Sequence, residues 1–223
     1  MESTFLRFNL STLGRSELTK RRKITVVGAG YVGMSIASSL ARKDEILILE
    51  TNKDKIQRIN SGKSSIDDPD ISAFCNQHDL TIKAIEKKEE AYQGADFIII
   101  CVPTDFNDKT SSFDTDILEG VISDAISNNN DALIIIKSTI PVGYTSQARE
   151  KYQTKNIIFS PEFLREHSAM NDVLNPSRVI VGNDSELSAD FAELIAELTE
   201  NEPEIILMPS SDAEAVKLFS NTY

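Results

Sequence analysis

Gly28-Ala29-Gly30-Tyr31-Val32-Gly33 decides the reading of this chain. These residues follow a short apolar run, Ile24-Thr25-Val26-Val27, and open a helix-like segment from Tyr31 to Arg42. Strand, glycine loop and helix, in that order, make a cradle for the pyrophosphate of a dinucleotide. Gly28 permits the tight turn, Gly30 lets the backbone approach the phosphates, and Gly33 lets helix pack on strand. The first helical amides and the helix dipole then bind negative charge without a lysine. Because such a glycine pattern also arises by chance, its surroundings matter. A second apolar run, Ile46-Leu47-Ile48-Leu49, ends in Glu50, 22 residues after Gly28. That is near the spacing of the acid that takes the adenosine ribose hydroxyls. A carboxylate there repels the 2′-phosphate of NADP, so the expected cofactor is NAD.

The 223 residues suffice for one large α/β domain, or one domain and part of another. The longest apolar run, Phe97 to Val102, is of strand length and far short of a membrane span. Charge is uneven. Residues 1–23 carry six basic side chains against two acids, a net +4; the other 200 carry 17 against 33, a net −16. A body this acidic argues against general binding to nucleic acid or membrane surfaces. An anionic ligand must be held by helix N-termini and single arginines. Cys75 and Cys101 lie 26 apart and suggest neither a disulfide framework nor a zinc site, and no His/Cys/Asp group has metal-ligand spacing. A reducing cytoplasm fits. Residues 1–22 lack the apolar stretch of a secretory signal. Their arginines and hydroxyl residues resemble a transit peptide, but Glu2 and Glu17 weaken that idea, so a disordered or loosely attached extension is expected.

Beyond the first βαβ unit, strand and helix patterns alternate, which predicts an α/β, Rossmann-like, doubly wound and mostly parallel sheet with helices on both faces. Strands are expected at 24–27, 46–49, 80–83, 97–102, 132–136, 156–159, 178–181 and 205–208. Helices are expected at 31–43, 53–60, 68–77, 87–92, 115–128, 143–152, 162–170, 186–200 and 211–221. Asp114 or Thr115 and Ser185 are candidate helix caps. The NAD-binding domain is taken as 23–210. The last helix, from residue 211 on, has no stop signal and reads as the start of a longer one, so a piece of a larger protein is expected.

In open α/β sheets, ligands bind beyond the carboxyl ends of the strands. After 97–102 comes Pro103-Thr104, and after 132–136 comes Lys137-Ser138-Thr139-Ile140-Pro141-Val142-Gly143, a turn with three donors. After 156–159 comes Ser160-Pro161-Glu162-Phe163-Leu164-Arg165-Glu166. Glu162 and Glu166 are four apart, so on a helix they share a face and, near Thr139, can run a proton relay through water. The plainer alternative is an acidic helix N-terminus. Lys217 and Asn221 are also four apart. An ammonium beside an amide can stabilise an oxyanion, though spacing alone favours an exposed lysine on an amphipathic helix.

These stretches, with Glu214-Ala215-Val216-Lys217-Leu218-Phe219-Ser220-Asn221-Thr222-Tyr223 and Asn175-Pro176-Ser177-Arg178, resemble the UDP-glucose 6-dehydrogenases of the UDP-glucose/GDP-mannose dehydrogenase family. The match runs from about Lys23 to Tyr223. The resemblance implies NAD-dependent oxidation of C6 of UDP-glucose, twice, to UDP-glucuronate, with a cysteine holding the intermediate as thiohemiacetal and thioester. It implies NAD contacts at Gly28, Gly30, Tyr31, Val32, Gly33, Glu50, Lys55, Thr104, Thr139 and Glu166. Glu162 becomes the general acid/base, Thr139 helps hold a water, and Lys217 and Asn221 stabilise the oxyanion. Glu162, Phe163, Leu164, Arg165, Lys217 and Asn221 would meet the sugar nucleotide. Two substitutions depart from the pattern: Glu50 where Asp is usual, and Ser220 where Ala is common. The UDP-sugar-binding half, with its nucleophilic cysteine, has no counterpart here, and of the central helix through which the family commonly forms homodimers only the start, 211–223, is expected. The chain is therefore expected to bind NAD and to be inactive alone. The alternatives are a dehydrogenase of GDP-mannose or a UDP-N-acetylhexosamine, and a non-catalytic nucleotide-binding module.

Overall fold

A computed structural model describes residues 6–8, 21–108, 112–182 and 186–220. Its strands are β1 (Leu6–Phe8), β2 (Lys23–Val27), β3 (Glu45–Leu49), β4 (Ile82–Ile85), β5 (Phe97–Ile100), β6 (Phe106–Asn107), β7 (Ser112–Phe113), β8 (Leu133–Ile136), β9 (Ile157–Phe159), β10 (Arg178–Gly182) and β11 (Glu204–Met208). Its helices are α1 (Tyr31–Leu40), α2 (Lys53–Asn60), α3 (Pro69–Gln77), α4 (Lys88–Tyr92), α5 (Asp116–Asn128), α6 (Tyr144–Tyr152), α7 (Ala169–Leu174), α8 (Glu186–Ala196) and α9 (Ser210–Ser220).

The main sheet has nine strands in the order β1-β11-β10-β9-β8-β5-β2-β3-β4. From β4 to β9 all neighbours are parallel. From β2 the chain winds outward through β3 to β4, then returns to the other side through β5, β8 and β9. The winding therefore reverses between β2 and β5, where a crevice opens at the carboxyl ends. β10 and β11 are parallel to each other, but β10 meets β9 antiparallel, so the pair runs against the first six. The expected doubly wound, mostly parallel sheet is present with this reversal at one flank. β4 starts two residues later than the pattern at 80–83 implied, because its register pairs Ile82 with Ile46 near the start of β3.

Period-two alternation sends successive strand residues to opposite faces. Val26, Ile48, Ile99 and Ile135 pack under α1, α3, α7 and α8. Val27, Leu49, Ile98, Ile100 and Ile136 pack under α4, α5, α6 and α9. Both faces are covered, which is why β5 and β8 are apolar throughout. Caps fix several helix starts. Asn52 accepts from the N–H groups of Asp54 and Lys55, and Asp68 from that of Ile71, with Pro69 opening α3. Asp114, not the Thr115 hydroxyl, serves α5, accepting from Asp116 N at 3.1 Å. The Ser185 cap lies outside the described residues.

Two parts of the amino-terminal extension lie among the described residues. Leu6–Phe8 pairs antiparallel with β11. Arg22 is built into the domain: its guanidinium forks onto Asp44 (3.0 and 2.9 Å) and reaches Glu197 at 2.7 Å. Asp44 is almost fully buried, so this bidentate pair compensates a charge that would otherwise be costly.

Candidate functional site

The glycine loop leaves β2 and enters α1 with two backbone constraints. Gly28 has φ +94, and a Cβ there would lie 2.7 Å from the Cys101 carbonyl oxygen. At Gly33 a Cβ would lie 2.0 Å from the Gly28 carbonyl oxygen. Helix and loop therefore touch through backbone, and α1 is held with its amino end over the crevice. Around Gly30 a Cβ would meet nothing within 4 Å. That open space sits at the N-cap of α1, which has no side-chain cap and no acid in its first turn. Bare N–H groups beside free volume suit a diphosphate.

The cleft beyond these amides has a volume of about 950 Å³. Gly28, Gly30, Tyr31, Val32, Glu50, Lys55, Thr104, Thr139, Glu162, Leu164 and Glu166 all line it. Gly33 is not among the lining residues; its close approach to Gly28 packs α1 against the loop.

Glu50 ties the end of β3 to the glycine loop. One carboxylate oxygen accepts from Thr51 N (2.8 Å) and Asn52 N (3.0 Å), the other from Ala29 N (3.0 Å). Lys55 Nζ lies 3.8 Å away. Burial by itself would raise its pKa, but the N–H donors of Asn52, Ala29 and Thr51 and the Lys55 charge outweigh it and hold Glu50 below its ordinary value. Glu50 is thus an anion at neutral pH, with lone pairs left for hydroxyl donors.

The opposite wall is laced by short hydroxyl-to-carbonyl bonds. Ser138 Oγ donates to Val102 O and Thr104 Oγ1 to Thr139 O, each at 2.6 Å. The donors expected to face a ligand from Ser138 and Thr104 are therefore spent joining the turns after β5 and β8. Lys137 is buried, with Nζ 3.1 Å from Ser160 Oγ and 5.6 Å from the centre of the Phe191 ring. Burial lowers its pKa to about 8, opposed by Cys101 and Glu162. Burial pushes the Cys101 thiol up to about 12. It is an unreactive thiol at neutral pH.

Glu162 and Glu166 do not share a helical face. The expected helix over 162–170 is replaced by an irregular turn, a 3₁₀ turn at Glu166–Ser168 and then α7. Glu162 accepts from Leu164 N at 2.7 Å, and Asp172 accepts from Arg165 N at 2.9 Å. These local bonds compete with helical ones. Lys217, on α9, is buried and not exposed: its Nζ donates to Glu162 Oε1 at 2.5 Å and to Glu162 O at 2.6 Å. Lys217 Nζ and the Arg178 guanidinium both lie over the Phe163 ring, 5.9 and 5.3 Å from its centre. Phe163 and Arg165 line a second cavity of about 360 Å³, which shares Lys137, Glu162 and Leu164 with the large cleft. Arg165 is held by Asp172 at 2.7 Å. Asn221 lies outside the described residues.

Sequence reasoning missed the far end of the cleft, where Lys88 pairs with Asp124 at 2.5 Å and the buried Tyr92 hydroxyl has no partner among the described residues. Neither sits in a motif, and no spacing signals them.

With this geometry, comparison with known proteins settles the class. Residues 22–200 match the model of the UDP-glucose/GDP-mannose dehydrogenase family, NAD binding domain. The chain belongs to this family. It is 43% identical over 204 residues to a UDP-glucose 6-dehydrogenase of Campylobacter jejuni, covering 90% of this chain and 52% of that protein. It is 41% identical over 208 residues to the UDP-glucose 6-dehydrogenase of Streptococcus pneumoniae, covering 90% and 53%. The solved structure of a UDP-D-ManNAc dehydrogenase from Pyrococcus horikoshii superposes with a TM-score of 0.80 at 27% identity, over 90% of this chain and 50% of that one. The chain spans about half the length of the curated relatives it matches. The open space at Gly30 and the anionic Glu50 fit the NAD that the family's domain binds.

Two outcomes follow for this dehydrogenase domain. Gly33→Ala should cost about 3 kcal/mol in urea unfolding, because its Cβ meets backbone. Gly30→Ala should change stability by about 1 kcal/mol or less, yet weaken NAD⁺ binding about tenfold or more in calorimetry. The second outcome concerns pH. Lys137 is depressed in the folded state to about 8 from 10.5, so between those values the unfolded chain binds more protons and stability rises with pH. Below pH 8 the penalty for a buried charge, about 3 kcal/mol, is fully present. Lys137→Met should lack this term, so its stability relative to wild type falls as pH is raised from 8 to 10.5. A constant difference in urea midpoints would contradict this.

Proposed function

We propose that this chain is the NAD-binding half of a UDP-glucose 6-dehydrogenase, which oxidises UDP-glucose to UDP-glucuronate by two successive hydride transfers from C6. The observation that carries the reading is Glu162, paired with the buried Lys217 and lining a cleft that also holds Glu50, the glycine loop and Thr139. The relatives at 41–43% identity, UDP-glucose 6-dehydrogenases, support the choice of sugar nucleotide.

NAD⁺, when bound, supplies the hydride acceptor; this chain's residues handle protons, charge and position. Each oxidation releases a hydride and a proton, and a water supplies the second carboxylate oxygen. Glu162 is placed to take a proton. Thr139, in the turn after the neighbouring strand β8, helps hold the water, and Glu166 joins the cofactor contacts. Lys217 uses two of its three N–H donors on Glu162. We assign the third to an oxyanion, since a fixed ammonium out of water stabilises developing charge effectively. Asn221 is proposed to assist it. Phe163, Leu164 and Arg165 face the sugar nucleotide.

Neither cysteine is suited to carry the intermediate. Cys101 is held protonated by burial, and Cys75 packs against the Ser38 hydroxyl at 3.5 Å, away from the cleft. Among the described residues, no helix is long and apolar enough to cross a membrane, and we place the enzyme in the cytoplasm. The full enzyme is proposed to be a homodimer.

The test completes the chain with the remaining half of the Campylobacter jejuni relative and follows NADH absorbance. The chimera should oxidise UDP-glucose, and Lys217→Met within it should lower kcat by about 100-fold or more. The 223-residue chain alone should show no sustained turnover. Turnover by the isolated chain, or an undiminished Lys217→Met chimera, would contradict the assignment.

A further inference from the structure

α9 presents an unusual face to the domain. Ser210, Ala213, Glu214 and Lys217 recur at i, i+3, i+4 and i+7, the spacing of a buried helical stripe, and all four are buried. Yet three of the four are polar, and each bonds to a different turn. Ser210 Oγ donates to the Gly182 carbonyl at the end of β10. Lys217 donates to Glu162 after β9. Glu214, fully buried, accepts from Gly143 N at 2.5 Å, Thr145 N at 2.9 Å and Thr145 Oγ1 at 2.5 Å. Ala213 completes the stripe against Gly182, where an added Cβ would come within 2.9 Å of it.

The Glu214 contact fills a specific need of α6. That helix has Gly143 as its N-cap, with no side-chain cap and no acid in its first turn; Tyr144 N turns back to Pro141 O at 3.2 Å, which leaves the N–H groups of Gly143 and Thr145 to be met from elsewhere. Glu214 supplies the missing cap from α9, 69 residues away in sequence from Thr145. A carboxylate there also meets the positive end of the α6 dipole. The turn it grips continues directly from Lys137-Ser138-Thr139. Through Glu214 and Lys217, three residues apart, α9 therefore bridges the turns after two adjacent parallel strands, β8 and β9.

We propose that Glu214 is a positioning residue: by pinning α9 to the amino end of α6 it sets where the Lys217 ammonium meets Glu162. Its importance to catalysis rests on the reading of Lys217 and Glu162 given above; the placement of Lys217 does not.

The experiment reads that placement directly. In the 223-residue chain labelled with ¹⁵N-lysine, a buried, hydrogen-bonded ammonium gives a resonance that exposed lysines lose to exchange with water. The Lys217 signal is assigned by its absence in Lys217→Met. Glu214→Ala is expected to abolish or shift it, and Glu214→Gln, which keeps one acceptor oxygen, to restore part of it. Ile71→Ala, a cavity variant in the opposite face's core, loses stability without touching α9 and should leave the signal in place. If Glu214→Ala does not fold, Thr145→Val, which removes the hydroxyl donor alone, should still shift the signal. A folded Glu214 variant with an unchanged Lys217 resonance would overturn the proposal. Undiminished turnover of the Lys217→Met chimera would instead remove the catalytic reading, leaving a shifted resonance as evidence for the positioning.

Discussion

Everything in this domain is arranged around one contact between two pieces of backbone. The Gly28 carbonyl oxygen occupies the space where any side chain at residue 33 would begin. That approach locks the first turn of α1 against the end of β2 and leaves its amide hydrogens directed into the crevice. The crevice itself follows from topology, since β3 and β5 flank β2 on opposite sides and their connections depart in opposite directions. The cradle is positively polar although the body of the protein is strongly acidic. Charge is supplied by oriented dipoles, and the Glu50 carboxylate beside them is committed to the same loop through Ala29 N.

A second theme is the use of polar groups as ties between turns. Ser138 to Val102, Thr104 to Thr139, Ser160 to Ile180 and Glu214 to Gly143 each join a turn at a strand end to a neighbouring element. A parallel sheet places such turns side by side without connecting them covalently, so their relative positions must be fixed by hydrogen bonds. In a dry environment these bonds hold more firmly than they would in water. The result is a preorganised rim in which Glu162 and Lys217 meet at 2.5 Å.

Much of this was legible in the sequence because the relevant signals are local. Continuous apolar runs mark β5 and β8, and the glycine loop and Glu50 lie within a single βαβ unit. The readings that failed needed information from afar. Pro161 with acids at 162 and 166 looks like a helix start, but Glu162 turns back onto Leu164 N, and Asp172, seven residues on, takes Arg165 N. Arg22 looked like part of a basic tail, whereas its partners are Asp44 and a glutamate 175 residues away. Lys217 looked like a solvated lysine because helical periodicity says which residues share a face, not which face is buried. Its position four residues after Ala213 and seven after Ser210 held the clue. Glu214 stood inside a recognised motif with no role, since its partners are on another helix.

The central claim is that backbone amides at the glycine loop hold a diphosphate while the Glu50 carboxylate chooses the coenzyme. Parallel calorimetric titrations of the folded chain with NAD⁺ and NADP⁺ test it most directly. The account predicts saturable NAD⁺ binding at least about tenfold tighter than that of NADP⁺. Equal or tighter binding of NADP⁺, or no heat from NAD⁺ at millimolar concentration, would contradict it.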